Sequence, residues 1–346
     1  MYPRIRSLLF RLDPEQAHAL TLRLLTLAGV LAPARAILRQ AFCYPDPGLR
    51  VRALGLEFPN PVGLAAGYDK DGRGLRGLAC LGFGHLELGT VTPLPQPGNP
   101  RPRIFRLPED EALINRMGFP NAGAEGLLRR LRRSRHTGVV IGVNLGKGVS
   151  TPLERAGEDY LSLLRSFYHH SDYLAINVSS PNTIGLRRLQ AREHLESLLR
   201  SLAAERRSLG EAAGRHVPLL IKLAPDLTED ELADAAGAVL GAGLEGIIAT
   251  NTTLARPELR SLHRGETGGL SGQPLRRRST EVIRHLARIC GGRLTIVGAG
   301  GISGPDDARE KLDAGATLVQ IYTGLVYRGP GLARAILKGL CTPEGG

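Results

Sequence analysis

The chain has 346 residues, 42% of them hydrophobic, enough for two average domains or one large α/β barrel; 45 Lys and Arg against 33 Asp and Glu leave a net charge of +12. That excess favours anionic ligands or acidic surfaces, but with no aromatic interleaving and no recognisable module a nucleic-acid partner is not expected. Four cysteines, at 43, 80, 290 and 341, form no C-x-x-C pair, which argues against disulfides and a metal site and for a reducing compartment.

Residues 1–42 read as two short amphipathic helices, one opening after Asp13-Pro14 and one after Pro33. Leu20, Leu24, Leu27 and Leu31 share a face, with Arg23, Arg35 and Arg39 set among them. Such a pair is either an extra helical layer on the main domain or a monotopic membrane contact. The longest charge-free apolar stretch here, 24–34, falls well short of the ~20 residues of a spanning helix. Asp13, Glu15 and Arg23 disfavour a cleavable signal.

Residues 49–60 alternate as a short hairpin, expected to close the bottom of the domain C-terminal to it. From there apolar runs recur, each ending in glycine or small polar residues: 62–67, 86–91, 139–145, 173–178, 219–223, 246–250, 294–297 and 318–322. Helical patterns separate most of them, including 187–209 and 228–242, the latter with a capped start at Thr228, Asp230 and Glu231. Eight strands alternating with helices predict an α/β fold, a (β/α)8 TIM barrel with an N-terminal helical extension, whose site lies at the C-terminal strand ends. The expected division is a helical segment at 1–42 and a barrel domain at 43–346. The connection 93–135 is too long for a simple crossover, so the part around 103–120 reads as an insertion above the mouth. Arg129, Arg130, Arg132, Arg133 and Arg135, and again Arg276, Arg277 and Arg278, read as solvated helix faces.

The first strand ends in Ala66-Gly67-Tyr68-Asp69-Lys70, where an Asp-Lys pair is ordinarily a surface ion pair; the second ends near Thr90 and the third at Asn144. At the fourth, apolar Leu174-Ala175-Ile176 gives way to Asn177, Ser179, Ser180 and Asn182, and Pro181 keeps the strand from continuing. Polar groups massed there either cap a turn or face a ligand. The fifth strand carries Lys222, and a lysine is seldom placed in a buried strand without an anion, a Schiff base or a carboxylate partner. After the seventh, Gly298-Ala299-Gly300-Gly301-Ile302-Ser303 departs from G-x-G-x-x-G at Ser303. It reads as a phosphate loop completed by Tyr322 and Thr323 after the eighth.

The insertion adds Asn115-Arg116-Met117-Gly118-Phe119, the sixth strand Thr250-Asn251-Thr252, and a later loop Gly268-Gly269-Leu270-Ser271-Gly272. With these motifs the chain resembles the dihydroorotate dehydrogenases of the membrane-associated, quinone-using class over essentially its whole length. The resemblance implies FMN as cofactor, its phosphate at Gly301, Tyr322 and Thr323. Ala66, Gly67, Tyr68, Asp69, Lys70, Thr90, Asn144, Asn177, Lys222, Thr250 and Gly272 are its other implied contacts. It implies dihydroorotate as substrate, at Lys70, Asn115, Arg116, Met117, Gly118, Phe119, Asn177, Asn182, Asn251 and Thr252. The implied reaction yields orotate for de novo pyrimidine biosynthesis: a proton leaves C5, a hydride leaves C6, and a membrane quinone collects the electrons. Soluble relatives use cysteine as the base; Ser180 holds that position here, with a proton outlet through water and Thr183. Residues 1–42 then become a peripheral membrane contact and quinone path, at the cytoplasmic face of the cell membrane and with a preference for anionic lipid. Tyr68 replaces a residue more often leucine or phenylalanine. Two other readings stay open: an aldolase-type lyase using Lys222 as a Schiff base, and a catalytically silent membrane scaffold.

Overall fold

A computed structural model describes residues 2–134, 137–183 and 185–341; Arg135 of the first basic run and the outermost residues of both expected domains, 1 and 342–346, lie outside them. The strands, in chain order, are β1 Val51–Ala53, β2 Leu56–Phe58, β3 Val62–Leu64, β4 His85–Val91, β5 Ile104–Leu107, β6 Ala112–Asn115 and β7 Val140–Leu145. They continue with β8 Tyr173–Asn177, β9 Leu219–Leu223, β10 Gly246–Ala249, β11 Gly269–Gly272, β12 Thr295–Ala299 and β13 Leu318–Ile321. β3, β4, β7, β8, β9, β10, β12 and β13 close into one parallel barrel, each at one of the eight apolar runs. The β1–β2 hairpin plugs its lower end, where Leu54 and Phe58 pack among Val140, Tyr173, Leu220, Ile248, Val297 and Leu318. Glycines make room for the large side chains of this floor: a Cβ on Gly63 would lie 2.1 Å from the His85 ring, and one on Gly142 2.1 Å from that of Tyr173.

The insertion forms an antiparallel sheet, β5 with β6, at the barrel mouth. The glycine-rich segment read as a loop is its third strand, β11, paired with β6 from Gly269↔Asn115 to Gly272↔Ala112. The 187–209 helix also differs from expectation: a 3-10 turn, Leu186–Gln190, precedes a helix at Arg192–Ala213. Tertiary bonds hold the turn out of the helix, because Arg187 donates to Ser179 O (3.1 Å), Asp226 Oδ2 (2.6 Å) and Thr252 O (2.9 Å). The helix Glu229–Ala242 opens on the expected capping box of Thr228 and Glu231. Of the second basic cluster only Arg277 is largely exposed, with an ion pair to Glu281 (3.6 Å) on the helix surface. Arg276 pairs with Asp307 and Glu310, and Arg278 donates to the carbonyls of Pro225 and Leu227, so that run is partly a brace for barrel loops.

The N-terminal segment has three helices rather than two: α1 Tyr2–Leu9, α2 Pro14–Val30 and α3 Ala32–Phe42. An isolated eight-residue helix is unstable in water, so α1 depends on docking. Tyr2 OH donates to Val326 O (2.7 Å), Arg6 to Tyr327 O (3.3 Å), and Phe10 meets the Tyr327 ring edge-on. Asp13 caps α2 by accepting from the N–H groups of Glu15 (2.9 Å) and Gln16 (3.1 Å), with Pro14 at its first position. α2 and α3 meet at 114°. Among the described residues no single helix is long and apolar enough to cross a membrane.

Candidate active site

The C-terminal strand ends open into one cleft lined by Ala66, Gly67, Lys70, Thr90, Asn115, Met117, Gly118, Phe119, Asn177, Ser180, Asn182, Lys222, Thr250, Asn251, Thr252, Gly272, Gly301, Tyr322 and Thr323. Residues from Ala66 to Thr323 thus converge because most of them terminate or succeed a strand of one barrel. Four other expected residues lie elsewhere. Tyr68 lines a second cavity, and the carboxylate of Asp69 accepts from the N–H groups of Arg73 (2.9 Å) and Gly74 (2.8 Å), fixing the turn after β3. Burial raises the Asp69 carboxyl to about 6. Asn144 is buried one layer beneath the cleft, and Arg116 turns outward to Glu266 (2.7 Å) across the face of Phe105.

Beneath the cleft lies a hydrogen-bonded polar layer. Asn144 Nδ2 donates to Glu87 (2.9 Å), and its Oδ1 accepts from Thr90 Oγ1 (2.5 Å) and Asn177 Nδ2 (3.1 Å). Asn177 Oδ1 in turn accepts from Ser179 N (3.2 Å) and Ser179 Oγ (3.1 Å). Glu87 also accepts from Tyr173 OH (3.0 Å) and Gln320 Nε2 (2.8 Å), and lies 3.7 Å from Lys222 Nζ. The partner that makes Lys222 tolerable in β9 is therefore a carboxylate.

Ser180 is buried at the cleft wall, its Oγ accepting from Asn182 N–H (3.3 Å). That donor favours negative charge developing on the oxygen. Lys70 lines the cleft, donating to Gly67 O (2.7 Å), and burial pushes its ammonium down to about 8. Asn182 donates to Asn115 Oδ1 (3.2 Å) and Asn251 to Ser179 Oγ (3.0 Å), so three loops present amides to one volume.

A family model described as dihydroorotate dehydrogenase matches residues 48–342. The chain belongs to the dihydroorotate dehydrogenase family. It is 52% identical to a dihydroorotate dehydrogenase (quinone) of Azotobacter vinelandii, covering 100% of this chain and 98% of that one. A protein of the same name from Stutzerimonas stutzeri is 53% identical, covering 96% of each. A crystal structure of DHODH from Eimeria tenella in complex with ferulenol superposes with a TM-score of 0.87 at 40% identity, covering 95% of this chain and 90% of that one.

The cofactor of dihydroorotate dehydrogenases of this class is FMN, and the cleft fits such a group. Gly272 and Gly301 adopt φ of +98° and +75°, and a Cβ would lie 2.3 Å from Glu111 O and 2.4 Å from Arg276 Cα respectively, so both must stay bare. The Thr250 hydroxyl is buried at the cleft with no hydrogen-bond partner, a position a ligand acceptor or donor would satisfy. Sequence reasoning singled out neither Glu87 nor the residues around it, Tyr173, Gln320 and His85. The signal lies at Glu87, a carboxylate set between the apolar Leu86 and Leu88 of a buried strand, the same kind of anomaly as Lys222.

The second cavity lies under α1 and α2, lined by apolar side chains including Leu9, Leu24, Leu25, Leu325 and Val326, with His18, Tyr68 and Arg106 among its polar groups. It shares Ile104, Leu113 and Tyr322 with the cleft. Tyr68 stands edge-on to both His18 (4.9 Å) and Tyr322 (5.9 Å), joining α2 to the cleft wall. Burial, with Lys70 nearby, pushes His18 down to about 4, so its imidazole is neutral at neutral pH.

Proposed function

We infer that this protein oxidises dihydroorotate to orotate with FMN as its cofactor and a quinone as final electron acceptor, a step of de novo pyrimidine biosynthesis. The observation that carries the reading is the junction of two cavities, a polar cleft holding Ser180 and Lys222 and an apolar one beneath the N-terminal helices, with Tyr322 common to both. A redox enzyme with one polar and one lipid-soluble substrate needs such a pair of entrances to one cofactor.

FMN supplies, when bound, the hydride acceptor and a two-electron reservoir. In this reading its phosphate is held at Gly301, Tyr322 and Thr323, and its ring system by Ala66, Gly67, Thr90, Asn177, Lys222, Thr250 and Gly272. Tyr68, Asp69 and Asn144 act one layer out, Asp69 by shaping the turn and Asn144 by orienting Asn177. The substrate carboxylate meets the Lys70 ammonium, and the amides of Asn115, Asn182 and Asn251 with the Thr252 hydroxyl pair with its urea edge. Arg116, Met117, Gly118 and Phe119 shape that side of the cleft, Arg116 by its tie to Glu266. Ser180 Oγ takes the C5 proton, helped by the Asn182 N–H, and passes it outward through water beside Thr183.

Residues 1–42 form the quinone-access and membrane-binding unit in this reading, and residues 43–346 the catalytic unit. Support comes from leucines left open to solvent, among them Leu8 (62% exposed) and Leu27 (64%), interspersed with arginines. The protein attaches peripherally, at the cytoplasmic face of the membrane. Anaerobic dihydroorotate should bleach the visible flavin absorption of the purified protein, and added quinone should restore it; a yellow protein that dihydroorotate does not bleach overturns the reading.

A further inference from the structure

We propose that Glu87 is the electrostatic counterweight of the cofactor site, a positioning residue that offsets Lys222 and aims the asparagine amides above it, thereby tempering the reduction potential of the bound flavin. The proposal rests on the reading that FMN lies against Lys222. Glu87 is fully enclosed in the barrel, where an unpaired carboxylate would be strongly disfavoured. It accepts three hydrogen bonds and faces the Lys222 ammonium at 3.7 Å, so its charge has both a partner and a full set of donors.

A carboxylate at this position acts in two ways. The first concerns direction. A carboxylate only accepts, so Asn144 must turn Nδ2 down toward it and Oδ1 up. That oxygen then takes Thr90 Oγ1 and Asn177 Nδ2, which leaves Asn177 Oδ1 to receive Ser179 and, at 3.4 Å, Asn251. One buried charge thus orders a relay from the barrel floor to the loop bearing Ser180. The second concerns charge. A lysine alone beside the ring would favour the electron-rich reduced cofactor strongly, because a low-dielectric interior screens it little. A site that only accepted hydride would gain from that. One that must hand both electrons on to a quinone gains from a cation partly offset, and Glu87 supplies the offset.

The test is the flavin potential of four FMN-loaded proteins, measured at one pH by anaerobic titration against reference dyes: wild type, Glu87→Gln, Lys222→Met and the double variant. Removing the carboxylate should raise the potential, by at least a tenfold change in the equilibrium constant for reduction, which is about 30 mV for a two-electron couple. Removing the lysine should lower it, and the double variant should fall between the two singles. Loss of packing alone would not move the potential in opposite directions. A Glu87→Gln potential equal to or below wild type, with Lys222→Met lowered, overturns the proposal. A Lys222→Met potential equal to wild type overturns it together with the lysine–flavin reading beneath it. If Glu87→Gln alone does not retain FMN, the double variant against Lys222→Met decides: a higher potential supports the counterweight, and equal potentials overturn it.

Discussion

In the proposed reading the ordinary hydroxyl of Ser180 removes a proton, and what surrounds it is one amide N–H and a cleft wall. Ser180→Ala should fold and bind FMN and dihydroorotate, because one small hydroxyl on a loop contributes little to the core. Flavin reduction by dihydroorotate, monitored by anaerobic stopped-flow absorption, should slow by roughly 10²–10⁴-fold. Ser180→Cys should recover part of that rate, increasingly as pH rises toward the thiol's ordinary value of about 8.5. An alanine variant within about threefold of wild type would return the loop to turn capping. Lys70 makes a pH prediction. Burial holds it at about 8, so it carries its charge below that pH and loses it above. If the ammonium holds the substrate carboxylate, as proposed, orotate binding should be constant in acid and weaken by about tenfold per pH unit above about 8. Lys70→Met should bind weakly with a flat profile, and an unchanged profile would remove Lys70 from carboxylate recognition. Lys222 was legible in the sequence as a charge in an apolar strand. Its partner was not, because only the closed barrel brings β4 and β9 across from each other.

Among the elements, α2 is tied to the inserted segment above the barrel through Glu15. Glu15 takes bonds from Arg103 Nη2 (2.6 Å) and Nε (3.1 Å) and from Arg101 (3.0 Å), while Arg103 also donates to Pro97 O and Asn99 O. Burial works to raise the Glu15 carboxyl, but those guanidinium bonds outweigh it and hold it below the usual carboxylate range. A carboxylate depressed on folding stabilises the docked state above its unfolded value and loses that contribution as pH falls through its folded value. The docking of α2 should thus loosen only as pH falls below the ordinary carboxylate value of about 4.5, and Glu15→Gln should loosen it at neutral pH. Hydrogen exchange in α2 would report both changes, and rates equal to wild type would assign the docking to apolar contact alone. If the two substrates enter by different cavities, as proposed, quinone reduction should fall in Glu15→Gln while bleaching by dihydroorotate persists. The start of α2 was readable from Asp13-Pro14. α1 was not, because its stability comes from Tyr327 and Val326, more than three hundred residues away.

For the whole molecule, the membrane reading predicts that the full chain sediments with anionic lipid vesicles. Leu27→Glu with Ile37→Glu, at two exposed apolar positions, should release it while leaving flavin bleaching unchanged. Retention of the double variant on the vesicles would move the contact elsewhere. The barrel floor predicts a stability effect: Gly142→Ala drives a Cβ into the Tyr173 ring and should cost about 1–3 kcal/mol, seen as a lower Tm, with an unaltered Tm as the contrary result. Eight apolar runs, the capping of α2 at Asp13, the helix start at Thr228 and the polar strand ends were written locally, because strand burial, capping and turn chemistry act over a few residues. The sequence by itself therefore determined the barrel, the mouth that bears the site and most residues of the cleft. The tertiary structure alone decided that β11 completes the inserted sheet and that Arg187 leaves its helix to hold Ser179 and Thr252. It alone set Glu87 against Lys222 and joined the apolar cavity to the cleft at Tyr322. Each of these is a contact between segments distant in the chain, and no local pattern encodes which distant partner a side chain will meet.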